Sequence, residues 1–433
     1  MTGTVNRRSL MLAAGGAVAA AGSLVGVAPA AHADPAATAA TADNGRNFAG
    51  ARLASKYRFD DADMDLFFLI SLGWGDTGGL SIGEAWNVAA TIRDGDAESW
   101  VNAFRASGDR QTKLADEWKA AGWTRQSAQA RMKAFVSYRH AWQFAPVGPI
   151  FVDSYARHKA AFRAALPDLG LPATFFDTPY AGKTLPGVFI QNANRNAPVA
   201  LLLGGADTCF EEIYLTVGRN VFDSGYSVAM VDLPGQGITM MDGFHWEAEP
   251  EKPIGAIIDV LIQRFRARAG RIALLGYSLG GYWACRAAGY EKRLATAMAS
   301  TPLPNPPRLF GSMLNAQNEL AAQATGRSSA TRRNLETILW KAGAANQQDL
   351  LVKMANFVAD PALVTMPFLS IVGAGEGAGF QSQSDQWHAQ IRSPLKRLVR
   401  LDATTGGDAH CQAGNRLRMA QEMCGWMDQI FRA

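Results

Sequence analysis

From about residue 172 to the C-terminus, short apolar runs alternate with helix-length amphipathic stretches, and this alternation restricts the fold more than any other feature of the chain. The runs at 174–179 and 185–191 flank Ala181-Gly182-Lys183 and read as a hairpin. Further strand-like runs fall at 199–203, 226–232, 271–277, 294–300, 367–372 and 395–401. Helical patterns lie between them at 211–223, 254–268 and from 278 to about 289, and a last one closes the chain at 415–431. Strands this apolar need cover on both faces, so the pattern predicts a mostly parallel sheet sandwiched by helices. The alternation breaks once. Between 307 and 361 only helical segments are legible, at 312–324 and 331–342. An insertion that long between two sheet strands is expected to act as a lid.

The preceding part, 48–170, has only helical grammar. An apolar stripe runs through 61–73, Ser81 with Glu84 three residues on forms a capping-box signature, and 96–121 and 124–145 are amphipathic. Six of the eleven tryptophans fall here: Trp74, Trp86, Trp100, Trp118, Trp123 and Trp142. The plain expectation is that they fill a helical core; the sharper one is that some line a substrate cavity. The chain therefore reads as a helical, cap-forming domain (48–170) ahead of a catalytic domain (171–433) with its lid at 307–361.

Residues 1–33 read as an address. Arg7-Arg8 precede a weakly apolar, alanine- and glycine-rich run, and Ala31-His32-Ala33 is a small-residue cleavage site before Asp34. These features predict a twin-arginine export signal, the alternative being a general secretory signal that happens to carry two arginines. Residues 34–47 read as a flexible leader. The expected location is outside the cell, with no stable membrane anchor. Lysine and arginine exceed aspartate and glutamate by only four, and loss of Arg7 and Arg8 would halve that excess, so nucleic acid is not an expected partner.

Gly276-Tyr277-Ser278-Leu279-Gly280 is a G-x-S-x-G motif between a strand-like and a helix-like run. A serine on such a turn projects its hydroxyl above the sheet, over a helix N-terminus that favours developing negative charge. Ser278 is therefore the predicted nucleophile. It needs a base. With the order serine, acid, histidine, only His388 and His410 qualify, and His410 is preferred because it lies in a loop after the last strand rather than within a helix. The loop after 294–300 holds no carboxylate. The next such loop, Gly373-Ala374-Gly375-Glu376-Gly377, offers Glu376 as the acid, with Asp385 and Asp408 as weaker alternatives. The oxyanion hole is expected from the amide of Leu279 and from the loop Gly204-Gly205-Ala206-Asp207-Thr208, with Ala206 first and Gly205 next. Glu211 and Glu212 read as helix N-terminal residues within reach of the pocket. Asp232-Leu233-Pro234-Gly235-Gln236-Gly237 reads as a structural loop. No histidine–cysteine cluster has metal-ligand spacing and no nucleotide loop is present, so neither metal nor cofactor is expected, and the four cysteines look incidental.

In combination these motifs, with Gly281-Tyr282, Ala409-His410-Cys411, Ser127-Ala128-Gln129-Ala130-Arg131 and Thr178-Pro179-Tyr180, resemble the α/β-hydrolases with an N-terminal helical domain, the group of dihydroxypseudooxynicotine hydrolase and the fungal polyketide-shortening hydrolases. The resemblance spans the chain from about residue 50. It implies an α/β-hydrolase fold with a serine–acid–histidine site between the two domains. Two features depart from the group: glutamate stands where aspartate is usual, and the chain carries an export signal. The leading expectation is a secreted serine hydrolase of an ester, lactone or amide of a small organic molecule. The alternatives are a carbon–carbon bond hydrolase of a ketone or β-diketone, a non-hydrolytic cyclase or eliminase, an aminopeptidase-like enzyme, and an inactive binding protein. A homodimer is compatible with all of them.

Overall fold

A computed structural model describes residues 50–323 and 327–432. The export-signal and leader regions lie outside the described residues. All the described residues belong to one compact unit.

The helical segment comprises α1 (Ala62–Gly73), α2 (Ile82–Ala89), α3 (Ala97–Ala120), α4 (Thr124–Gln143) and α5 (Pro149–Asp168). Local chemistry sets their starts. Asp61 caps α1 by accepting from the Met64 amide, Ser81 and Glu84 close a reciprocal capping box on α2, and Asp96 accepts from the amides of Glu98 and Ser99. Helix α5 opens on Pro149, whose missing N–H costs nothing in a first turn.

An eight-stranded sheet follows, with strand order β1-β2-β4-β3-β5-β6-β7-β8. Strands β1 (Ala173–Tyr180) and β2 (Lys183–Ile190) form the hairpin, turning through Ala181 and Gly182, both at positive φ as a tight two-residue turn requires. Strand β2 pairs antiparallel with β4 (Ser227–Val231); every later pairing is parallel, through β3 (Val199–Leu203), β5 (Ile272–Tyr277), β6 (Leu294–Ser300), β7 (Phe368–Gly373) and β8 (Lys396–Leu401). The helices between them are α6 (Phe210–Ile213), which passes through a π-helical turn (Tyr214–Gly218) into α7 (Arg219–Asp223), then α8 (Glu251–Phe265) and α9 (Leu279–Tyr290). Three helices, α10 (Pro306–Gln323), α11 (Ser329–Ala342) and α12 (Gln347–Met354), fill the interval between β6 and β7, one more than the sequence pattern suggested. Helices α13 (Ala378–Gln390) and α14 (Arg416–Arg432) complete the chain.

Alternation along the strands divides the interior. Ala200, Leu202, Val228, Met230, Ala273 and Leu275 face a core that runs on into the helical segment through Phe67, Trp74, Trp100 and Phe135. Leu201, Leu203, Ala229, Val231, Ile272 and Leu274 face the opposite side, with α8, α9 and the inserted helices. The change of grammar near residue 170 is thus a change of secondary structure within a shared core. Helix α11 is also tied to the helical segment, since the Ala330 amide donates to the Gly95 carbonyl (3.1 Å) and the Ala97 amide to Ser329 Oγ (2.8 Å). Among the described residues no helix is long and apolar enough to cross a membrane.

Candidate active site

Ser278 stands between β5 and α9 with φ 57° and ψ −126°, a conformation that a side chain adopts only when its surroundings impose it. The Ser278 amide donates to the Ser300 carbonyl (2.8 Å), and the Gly281 amide donates back to the Ser278 carbonyl (2.8 Å). A Cβ on Gly276 would overlap the Gly280 carbonyl oxygen, and one on Gly280 would overlap that of Gly204. The motif's glycines are therefore required by close backbone approach.

The structure brings the three predicted side chains together. His410 Nε2 lies 3.0 Å from Ser278 Oγ, and its Nδ1 meets Glu376 Oε1. In the neutral ring, with a carboxylate on Nδ1, that nitrogen carries the proton and Nε2 accepts from the serine hydroxyl. The second oxygen, Glu376 Oε2, accepts from Thr301 Oγ1 (2.6 Å) and from the Gly373 amide (2.8 Å). The backbone of His410 is held by donation to the Arg52 carbonyl (2.9 Å), and its ring packs on Phe380 with centroids 4.8 Å apart. Burial disfavours a charged imidazole, but the neighbouring Cys411 and Glu376 more than offset it and push the His410 pKa up to about 10. The remaining alternatives sit elsewhere. His388 and Asp385 lie on α13, where Asp385 pairs with Arg400, and Asp408 offers its backbone carbonyl to the Gly375 amide (2.9 Å).

Ala206 and Leu279 line one cavity with Ser278 and His410. As the first residue of α9, Leu279 has an amide with no intrahelical acceptor. Gly205 lies behind, against the Ser278 Cβ, and its carbonyl accepts from Gln236 Nε2 (2.9 Å) and Thr208 Oγ1 (3.1 Å). Buried Gln236 also accepts from the Leu233 amide (2.9 Å), so the loop read from sequence as merely structural braces the loop that carries Ala206.

The cavity has two characters. Leu309, Phe310, Met313, Leu314, Leu335 and Ile338 from the inserted helices make one wall apolar. Arg52, Asp63, Asp207 and Asn334 bring polar groups to it. Arg52 pairs with Asp63, whose carboxyl is pushed up by burial and held back by the Arg52 charge. Arg52 and Asp63 escaped the sequence reading because nothing in their local pattern marks them; the Arg52 carbonyl's contact with the His410 amide, and the pairing of Asp63 with Arg52, are what bring them to the site. No tryptophan is among the residues lining this cavity; Trp74, Trp100 and Trp142 are fully buried, whereas Trp86 and Trp123 stand exposed, so the expectation of a helical core filled by all six holds only for part of them. Glu212 lies in the first turn of α6, as read, and also forms a buried ion pair with Arg139, which donates as well to the Asp207 carbonyl (3.1 Å) and Gln143 Oε1 (2.6 Å). Among the described residues the four cysteines are unpaired.

The model of the Alpha/beta hydrolase family matches residues 200–426. The alpha/beta hydrolase psoB of Aspergillus fumigatus is 31% identical over 427 residues, which span 86% of this chain and 94% of that protein. This chain belongs to the alpha/beta hydrolase family. Seven further curated matches are shorter, covering 54–60% of the relatives' own length. One of them is the 20-hydroxy-prefusarin hydrolase of Gibberella moniliformis, 30% identical over 251 residues and 54% of this chain. Among solved structures, 2,6-dihydroxy-pseudo-oxynicotine hydrolase superposes with a TM-score of 0.66 at 19% identity, covering 83% of this chain and 96% of that one, which is a likeness of fold.

Proposed function

We propose that this hydrolase is a serine enzyme that cleaves an ester, lactone or amide of a small organic molecule through an acyl-enzyme. The observation that carries the reading is His410 standing between Ser278 Oγ and Glu376. In the first half-reaction Nε2 takes the hydroxyl proton as Oγ bonds to the carbonyl carbon. The oxyanion is held by the amides of Leu279 and Ala206, and Nε2 returns the proton to the leaving alcohol or amine. Water repeats the cycle: His410 takes its proton, hydroxide adds to the acyl carbon, and Ser278 leaves reprotonated. Glu376 fixes the tautomer and stabilises the imidazolium.

The cavity supports a substrate with an apolar body against Leu309, Leu335 and Ile338 and a polar group toward Arg52, Asp63 and Asn334. Export by the twin-arginine route is part of the proposal and rests on Arg7-Arg8 and Ala31-His32-Ala33. Changing Arg7 and Arg8 together to lysine should keep the protein inside the cell; unaltered export would remove that part. For the chemistry, a chromogenic acyl ester is turned over and the reaction quenched in acid. The expected result is a chain heavier by one acyl group. Rapid turnover with no acylated chain under any quench time would overturn the acyl-enzyme reading.

A further inference from the structure

Directly after the oxyanion loop the chain assembles a second cluster, which the proposed chemistry does not use. Cys209 precedes α6, Glu211 lies in its first turn, and His158 reaches them from α5. His158 Nε2 is 3.6 Å from Cys209 Sγ and 3.6 Å from Glu211 Oε2, and the three donor atoms all lie within 4.8 Å of one another. All three side chains are fully buried. Glu211 receives no well-formed hydrogen bond on either oxygen, and His158 Nδ1 has no partner. Asp232, just past β4, is equally buried, with the Phe210 amide standing close to it and neither oxygen well bonded. Cys209 Sγ also lies 3.9 Å from Glu212 Oε2, an oxygen already engaged by Arg139.

The side-chain donor nearest Glu211 is His158, at 3.6 Å, and the buried Lys341 ammonium stands toward Asp232 and Cys209; a cation seated among the three donor atoms would give the Glu211 carboxylate the short contacts that neither of these supplies. Zinc bonds of roughly 2.0–2.3 Å in tetrahedral geometry place neighbouring donor atoms ~3.3–3.8 Å apart. The two 3.6 Å separations fall inside that range, and a thiolate, an imidazole and a carboxylate suit a borderline cation of the zinc class. We propose that His158, Cys209 and Glu211 form a structural site for such a divalent metal, with Asp232 or a water molecule completing four-coordination. As the sulfur–metal bond forms, the Cys209 thiol gives up its proton to solvent. The metal would clamp α5 to the start of α6, fixing the end of the loop that carries Ala206. The sequence gives no hint of the cluster, because His158 and Cys209 are 51 residues apart and only the fold closes that gap. The inference stands independently of the reading of Ser278.

The test uses the untagged full-length chain and zinc itself. The protein is unfolded, stripped with chelator, refolded with and without zinc sulfate, dialysed, and analysed for metal. About one zinc per chain should survive dialysis. Cobalt(II) loaded in the same way should give the near-ultraviolet thiolate-to-cobalt charge-transfer absorption of a tetrahedral site. His158→Gln and Cys209→Ser should each lower retained zinc at least tenfold, and Cys209→Ser should abolish the cobalt–thiolate band. A folded wild-type chain that retains no zinc and shows no such band would overturn the proposal, leaving a hydrated or protonated cluster. So would stoichiometric zinc that persists in folded forms of both variants. If either variant fails to fold, the wild-type zinc and cobalt measurements decide alone.

Discussion

Glu376→Gln is the most instructive single change, because the surrounding hydrogen bonds dictate what the amide must do. The carboxylate serves three donors: His410 Nδ1 on one oxygen, and Thr301 Oγ1 (2.6 Å) and the Gly373 amide (2.8 Å) on the other. A glutamine has a single acceptor oxygen. If that oxygen faces His410, its NH2 confronts the buried Gly373 N–H, a mismatch costing roughly 1–3 kcal/mol. If it faces Gly373 and Thr301, both are satisfied, and the NH2 then donates to Nδ1. The ring must now carry its proton on Nε2, facing Ser278, so it cannot act as a base. The site therefore selects the unproductive tautomer by about 5- to 150-fold. Loss of the negative charge that stabilises the imidazolium adds the remainder. The expected total approaches the ~10⁴-fold loss in kcat known for removing a triad carboxylate, or ~5.4 kcal/mol at 1.36 kcal/mol per tenfold. Initial rates on a chromogenic ester, with circular dichroism to verify folding, measure it. A folded Glu376→Gln enzyme within tenfold of wild type would refute the assignment of Glu376 and the tautomer argument with it.

Other perturbations follow from the same geometry. Because His410 must be neutral to accept a proton and its pKa is pushed up to about 10, kcat/KM should climb with pH through the alkaline range; a plateau from pH 6 upward would contradict the raised value. The sign for stability is opposite: the charged His410–Glu376 contact contributes fully below the ordinary histidine value of 6.5 and fades as pH rises through about 10, so melting temperature should fall as activity rises. Arg139→Ala leaves the buried Glu212 carboxyl without its counter-charge and should cost about 3–5 kcal/mol in denaturant unfolding, far more than loss of the exposed Lys252–Glu249 pair. Leu335→Asp on the apolar wall should raise KM for a hydrophobic acyl ester at least tenfold while leaving acetyl ester turnover nearly unchanged; equal effects on both would remove α11 from substrate binding.

Much of the scaffold is written locally in the sequence. Strands such as Val199–Leu203 and Leu294–Ser300 are continuous apolar runs, and Ser81 with Glu84 announces α2 by chemistry confined to one turn. Ser278, Glu376 and His410 are legible for a related reason, since each stands at the end of a strand and the order of elements determines which strand ends meet. What stays illegible depends on long-range closure. The Arg52 carbonyl reaches the His410 amide, and Gln236 supports Gly205 across 31 residues. Helix α12 is short and polar enough to hide inside the insertion. Glu212 looks like an ordinary helix-start acid until α4 delivers Arg139 to it.

The central claim is that Ser278 is the nucleophile, and covalent labelling tests it most directly. Wild-type enzyme and Ser278→Ala are treated with a fluorophosphonate, weighed intact, and mapped by peptide mass spectrometry. The wild type should gain one phosphonyl group, located on Ser278, and lose its esterase activity in step with labelling. Ser278→Ala should take up no label and show no turnover while melting like the wild type. Label mapped to another residue, or a folded Ser278→Ala enzyme that still cleaves the ester, would contradict the mechanism.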